Sequence, residues 1–240
     1  DRTTLPACAR IILRDLAITL RLLRISNSAM VNPSGATVKS VSHATAMLGT
    51  DAVIQLLDSI PTHRMERPVR ELAVLSQLTA WMARALMLRR EPRFVEETFI
   101  SGLFRNLGEI NYAIEFPDHY EKILIGSRGT ITGLRAACRS HAKFDFDELT
   151  ATLLQFWSMH GAMVLAAQST PDALAAQHGN PEAEMALAAS LAHLIVTAYF
   201  RAESAERDRL LKPYWSVLEK EFSVHENQLS DLCDSILAVN

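Results

Sequence analysis

The 240-residue sequence has no CxxC pair, no GxxxxGK[ST] loop, no GxSxG elbow and almost no alternating runs of Val, Ile and Thr. Each absence excludes something. Three cysteines, Cys8, Cys138 and Cys233, lie far apart and are odd in number, which argues against a disulfide framework and a cysteine-based zinc site. A reducing, cytoplasmic setting fits that usage. Without a Walker-type loop there is no ready cradle for nucleotide phosphates, and without an elbow or a Cys beside a base there is no candidate nucleophile. The stretch "GSRGTITG" holds three glycines but lacks a strand-to-helix context, so it reads as a turn. The formal net charge of -3 supplies no long-range field to hold a polyanion, so no nucleic-acid partner is expected. No long apolar run is present either: "MALAASLAHLIVTAYF", residues 185–200, is shorter than the roughly 20 residues of a bilayer span and carries His193 near its middle. It reads as a buried core helix, with no membrane partner. The start, "DRTTLPACAR", has neither a signal-like apolar segment nor an initiator Met, so a processed or excised piece is expected.

What is present is helical periodicity. Apolar residues recur at steps of three and four along nearly the whole chain, which predicts an all-α fold. From Ala7 to Ile25 one stripe runs through Ile11, Ile12, Leu16, Leu20 and Leu23, with a register break near Asp15. After the Asn-, Pro- and Gly-rich loop "NSAMVNPSGATVKS", Ser40 is placed to cap a helix ending at Leu48, with Gly49 as its left-handed stop. A further helix starts at Thr50 or Asp51 and runs through Ser59. Pro68 suits the first turn of a long helix to about Arg89, broken by Glu91-Pro92. Helices are then predicted over 93–107, stopped by Gly108, in "FPDHYEKILIGS", and over 131–142 and 148–157. The stretch "STPDALAAQHGNPEAE" reads as a loop with one helical turn, and the last helices fall near 182–203, 206–220 and 225–238. Leu210, Leu211, Trp215, Leu218 and Phe222 form a stripe read as core rather than docking groove.

Three separated stretches carry a resemblance. "RDLAITLRLLRISNSAM" is similar to an Asp-x-x-(Leu)-x-x-x-(Leu)-Leu-x-x-x-Asn-Ser-Ala signature and contains Asn27 and Ser28. "VKSVSHATAMLG" ends on Leu48 and Gly49, and "EETFISGLFRNLGEI" contains Gly102 and Gly108. In order and interval they resemble the HDOD (HD-related output domain) family of bacterial signalling proteins. The resemblance implies an HD-like multi-helix bundle forming a single domain over 1–240. Its expected parts are an N-terminal helical lobe (1–60), a degenerate HD-like core (68–204) and C-terminal helices (205–240). It also implies a regulatory or output role. Read from the residues alone, Asn27 is a helix stop able to take a left-handed turn, with ligand contact the competing reading. Gly102 is expected to permit close helix approach.

Where the HD phosphohydrolases to which this family is related place a His-Asp pair, this chain has Arg105 and Asn106. A guanidinium is always protonated and cannot ligate a metal, and an amide oxygen is a poor substitute for a carboxylate. Upstream, "VRELAVLSQ" offers no ligand near Val74 or Leu75. Downstream, Asp145 is followed by Phe146 where a relative carries Asp-His, and "AAQSTP" replaces a later His pair. No metal and no cofactor are therefore expected. Arg105 is predicted to pair with a carboxylate, Asp145 being the candidate, and so to shut the vestigial site. A solvated helix face and an anion site such as a nucleotide-phosphate contact are its other readings.

The remaining histidines are weighed as ligands and set aside. His141, Asp145 and Asp147 are close in sequence but read as a polar helix end, and His63 lies beside Arg64 and Arg67, which repel a cation. His160 is expected to replace a loop proline and His193 to be a hydrogen-bonded core residue. His43, His119, His178 and His225 read as surface or cap residues. Arg84, Arg89, Arg90 and Arg93 favour a helix C-terminus, and Arg89 and Arg90 are the candidate partner surface.

The function these features imply is a catalytically inactive output domain in bacterial signal transduction that contacts other signalling proteins or domains of its own polypeptide. The alternatives are a metal-dependent nucleotide phosphohydrolase or phosphodiesterase, and a small-molecule sensor that binds a cyclic dinucleotide in the vestigial cavity.

Overall fold

A computed structural model describes residues 4–58 and 66–239, and among them there are sixteen α-helices, two short 3-10 turns and no strand. The N-terminal helices are α1 (Thr4–Ile12), α2 (Leu16–Ser26), α3 (Val41–Leu48) and α4 (Thr50–Asp58). Asp15 makes the break between the first two, its carboxylate accepting the Ile18 N–H at 2.9 Å. Ser40 caps α3 by accepting the His43 N–H at 3.1 Å, and Gly49 ends it with φ of +81°. Ser59, the expected end of α4, and His63 lie outside the described residues.

Asn27 differs from its expected geometry. Its φ is -92°, so it is not left-handed. Its amide instead donates to Leu23 O and Val38 O, both at 3.0 Å, and accepts the Val38 N–H at 2.7 Å. The side chain thus fastens Val38, eleven residues further on, to the end of α2, and Ser28 Oγ donates to Ile25 O beside it at 2.7 Å.

The long helix α5 (Arg67–Arg90) begins with Pro68 in its first turn and stops at Glu91. A 3-10 turn, Pro92–Phe94, leads to α6 (Val95–Leu103) and then α7 (Leu107–Glu115). The single helix expected over 93–107 is therefore broken at Phe104, Arg105 and Asn106. Gly108 does not stop it but lies in the first turn of α7. Gly108 serves close approach: a Cβ there would stand 2.5 Å from Phe146 O and 2.6 Å from Thr150 N, and its N–H donates to Thr150 Oγ1 at 2.9 Å. Gly102 works the same way against α5, where a Cβ would fall 2.9 Å from Thr79 O.

The rest of the bundle is α8 (Pro117–Ser127), α9 (Ile131–Ala142), α10 (Phe146–Phe156), α11 (Gly161–Gln168), α12 (Pro171–Ala175), α13 (Pro181–Arg201), α14 (Ser204–Leu211), α15 (Trp215–Phe222) and α16 (Glu226–Val239). The helix expected over 206–220 is divided by the turn Lys212–Tyr214, because Pro213 has no N–H to continue the ladder. α13 is long and apolar enough to cross a membrane, but 67% of its most apolar window is buried among the other helices. It packs along α5, α6 and α11.

Two apolar clusters organise these elements. One joins Ile12, Leu22, Leu23, Val41 and Val53 to Phe99, Leu103, Phe104 and Leu154. The other joins Leu86 and Met87 of α5 to Leu191 and Ile195 of α13 and to Leu211, Leu218 and Phe222, which places the C-terminal stripe in the core. Arg90 corrects an expectation. It is no free surface residue: its guanidinium meets Glu184 at 2.9 Å, pairs with Glu221 and lies 5.9 Å over the Phe222 ring, tying α5 to α13 and α15. Arg89 is exposed and donates to Ala85 O of its own helix.

The glycine contacts give a direct expectation. Gly108→Ala should destabilise the protein by about 1–3 kcal/mol, because backbone atoms of α10 cannot yield as a flexible side chain can. Gly126→Ala, where the nearest atom is the Ala137 Cβ at 3.3 Å, should stay within about 0.5 kcal/mol of wild type, helix propensity offsetting the tighter contact. Urea denaturation of the two variants checks this, and equal stabilities would contradict it.

Candidate functional site

The break between α6 and α7 aims Arg105 inward. Its side chain is 6% exposed, and Nη1 lies 2.6 Å from Asp147 Oδ1 in the first turn of α10. Both the solvated-face reading and the expected partner, Asp145, are thereby corrected. Asp145 is occupied as the N-cap of α10: its Oδ1 accepts the Asp147 N–H at 3.1 Å, while Glu148 Oε2 accepts the Asp145 N–H at 3.1 Å. This capping box satisfies two otherwise orphaned amides, and its carboxylates sit favourably at the positive end of the helix dipole. The second oxygen of Asp145 faces Arg139 Nη2 at 3.4 Å. Asn106 is buried too, its amide donating to Ser76 Oγ at 3.3 Å.

A second buried charge network stands one turn further along α7. Glu109 accepts the Tyr120 hydroxyl at 2.7 Å and faces Arg201 Nη1 at 3.1 and 3.3 Å. Burial and then the neighbouring carboxylate push the Tyr120 phenol well above its ordinary range. Glu109, Tyr120 and Arg201 are absent from the sequence-level site, although a carboxylate in the apolar run "NLGEI" was a usable signal.

His193 also differs from expectation. Its Nδ1 is buried without a hydrogen-bond partner among the described residues. Burial, then the Arg105 charge, push its imidazole down to about 3, so it is neutral at physiological pH. Asp147 moves oppositely to what its burial alone would cause: the Arg105 guanidinium holds it well below the usual carboxylate range.

Arg105, Asp147 and His193 line a cleft of about 740 Å³ enclosed by α9, α10, α13 and α14. Arg135, Arg139 and Arg209 line it with Asp145 and Glu148, and so do Leu194, Leu210, Pro213 and Tyr214. The donor set does not fit a metal ion. Asp147 is engaged by a permanent cation and Asp145 by its own helix. Among the described residues no three His, Cys, Asp or Glu side chains converge as ligands. His141 is exposed on α9. His160 is buried in the loop before α11, which it caps, with Nδ1 accepting the Ala162 N–H at 3.4 Å and Nε2 3.0 Å from Glu182 Oε1. His43, His119, His178 and His225 are exposed.

With this geometry in place, comparison with known proteins is informative. A sequence model of the HDOD domain matches residues 1–173. No curated protein matches the sequence. Among solved structures, the MmoQ response regulator of Methylococcus capsulatus superposes with a TM-score of 0.69 at 23% identity, covering 95% of this chain and 89% of that one. A virulence factor of Campylobacter jejuni gives 0.67 at 14% identity, covering 93% and 85%. An HDOD domain protein of Geobacter sulfurreducens gives 0.52 at 15% identity, covering 97% and 85%. At these identities the likeness is one of fold.

The Arg105–Asp147 pair makes stability depend on pH with a definite sign. A carboxylate held low in the folded state stabilises above its unfolded value, and that contribution is lost as pH falls below about 4. Asp147→Asn should flatten the stability profile between about pH 4 and pH 2, measured by guanidinium denaturation, and an unchanged slope would contradict the pairing. Arg105→Ala at pH 7 should cost about 1–3 kcal/mol, toward the low end for a buried pair because Asp147 is 31% exposed and can rehydrate. An unchanged melting temperature would reject the buried role.

Proposed function

The chain belongs to the HDOD domain family, and from that premise we propose that it is a catalytically silent regulatory module of a bacterial, cytoplasmic signalling pathway that acts through contacts with other proteins or neighbouring domains. One observation carries the reading: at the position of a His-Asp pair stands a buried arginine whose permanent charge is neutralised by the protein's own Asp147. A cation bound beside that guanidinium would meet direct repulsion, and Asn106 spends its amide on Ser76. Among the described residues no set of His, Cys, Asp or Glu side chains converges to hold a metal that could lower the pKa of a bound water.

The surface best suited to contact is an apolar groove between α2 and α7, away from Arg89 and Arg90. Leu16, Leu20, Ile25, Ile110 and Trp157 line it, with Met30 90% exposed and Ile114 56% exposed at its mouth. Arg21 and Arg24 are exposed on its rim, the Arg24 guanidinium lying 4.6 Å over the Trp157 ring. An apolar floor with a basic rim matches a helical segment bearing an apolar stripe flanked by carboxylates. Such a segment, from another protein or a neighbouring domain, is the partner chemistry this reading commits to.

Elemental mass spectrometry on protein purified without chelator should find no stoichiometric iron, manganese or zinc, and hydrolysis of bis(p-nitrophenyl) phosphate should not exceed the buffer rate. Stoichiometric metal with turnover would overturn the silent reading. A host protein recovered with the wild-type chain should be lost with Met30→Asp/Ile114→Asp and kept with Arg89→Ala; the reverse pattern would move the contact surface to α5.

A further inference from the structure

The cleft bounded by Arg105, Arg135 and Tyr214 is more than the residue of a closed site. Its four arginines face three carboxylates, and all three carboxylates are already engaged: Asp147 by Arg105, Asp145 by its helix cap and Arg139, and Glu148 by the Asp145 N–H. Arg135 makes no hydrogen bond or ion pair among the described residues. It lines the same cleft as Asp147 and His193, and its charge helps to lower both. Arg209 has only a 3.7 Å approach to Glu206, whose carboxylate also accepts the Thr132 hydroxyl at 3.0 Å. Of the Arg105 nitrogens, only Nη1 is hydrogen-bonded among the described residues, and Nε is buried without a partner. Arg135 is thus the lining guanidinium without a carboxylate at ion-pair distance among the described residues, and Arg209 holds only a long contact, in a concave site.

The rest of the lining is different in kind. Leu194, Leu210, Pro213 and Tyr214 add apolar and aromatic surface to the cleft. The volume of about 740 Å³ lies within the range of roughly 300–1,000 Å³ typical of small-molecule sites. Guanidinium pairs recognise phosphoryl oxygens in a fork geometry, and an aromatic ring beside aliphatic side chains can cover the face of a base.

We propose that this cleft binds a nucleoside phosphate, with Arg135 and Arg209 taking the phosphoryl oxygens and the Leu210–Tyr214 wall covering the base. Binding there gives the module a small-molecule input separate from the α2/α7 contact groove, so either can hold without the other. No bond is made or broken in the step. Arg135 and Arg209 are exposed and hold no structural ion pair closer than 3.7 Å, so their replacement leaves the fold intact.

Isothermal titration calorimetry on the whole chain tests this with two probes, adenosine 5′-diphosphate and inorganic pyrophosphate, without added metal. The nucleotide should bind, pyrophosphate should bind more weakly, and Arg135→Ala/Arg209→Ala should weaken the nucleotide by at least about tenfold. Arg21→Ala, in the α2/α7 groove, should bind the nucleotide as wild type does, and the double variant should melt as wild type does without ligand. The proposal is overturned if the nucleotide gives no binding heat at about 1 mM, if pyrophosphate binds as tightly as the nucleotide, or if the double variant retains wild-type affinity.

Discussion

The site depends on one ion pair between a break in one helix hairpin and the start of another helix. Arg105 leaves the α6–α7 junction and reaches Asp147 in the first turn of α10, so a fixed positive charge sits inside the bundle with its counter-charge supplied by the chain. The desolvation of a buried guanidinium is large, and a close carboxylate offsets much of it only if the two are held in register. That register comes from the backbone: Gly108 lets α7 lie against the start of α10, with its N–H on Thr150, and Gly102 seats α6 against α5. A side chain at either glycine would separate the elements that carry the pair.

The same logic accounts for the other buried charges. Glu109 is answered by Tyr120 and Arg201, and Arg90 by Glu184 and Glu221. Each network joins helices distant in sequence, so polar groups in this bundle specify which helices meet while the two apolar clusters supply most of the burial. His193 Nδ1 and the Nε atoms of Arg105 and Arg90 are buried without hydrogen-bond partners among the described residues, and His193 and Arg105 line the same cleft.

Helical periodicity, proline and capping chemistry made much of this architecture legible. Asp15, Ser40, Pro68 and Pro92 stand at the helix boundaries their chemistry implies, and Gly102 lies in the close approach expected of it. Gly108 does not end the helix expected over 93–107, because its tertiary neighbours require the missing Cβ. Pro213 divides the helix expected over 206–220, because it has no N–H to continue the ladder. Long-range pairing was less legible. A buried Arg105 paired with a carboxylate is one of several readings of the sequence, and the choice between Asp145 and Asp147 turns on a capping box whose geometry exists only once α10 has formed. Arg90 failed as a surface candidate for a similar reason: its partners lie about 90 and 130 residues away.

The bond between the buried Arg105 guanidinium and Asp147 joins the α6–α7 break to the start of α10. A double-mutant cycle with Arg105→Met and Asp147→Asn, followed by urea denaturation at pH 7, measures that bond directly. A favourable coupling of about 1–3 kcal/mol is expected between the two positions. Strict additivity, with the double variant losing the sum of the single losses, would contradict it.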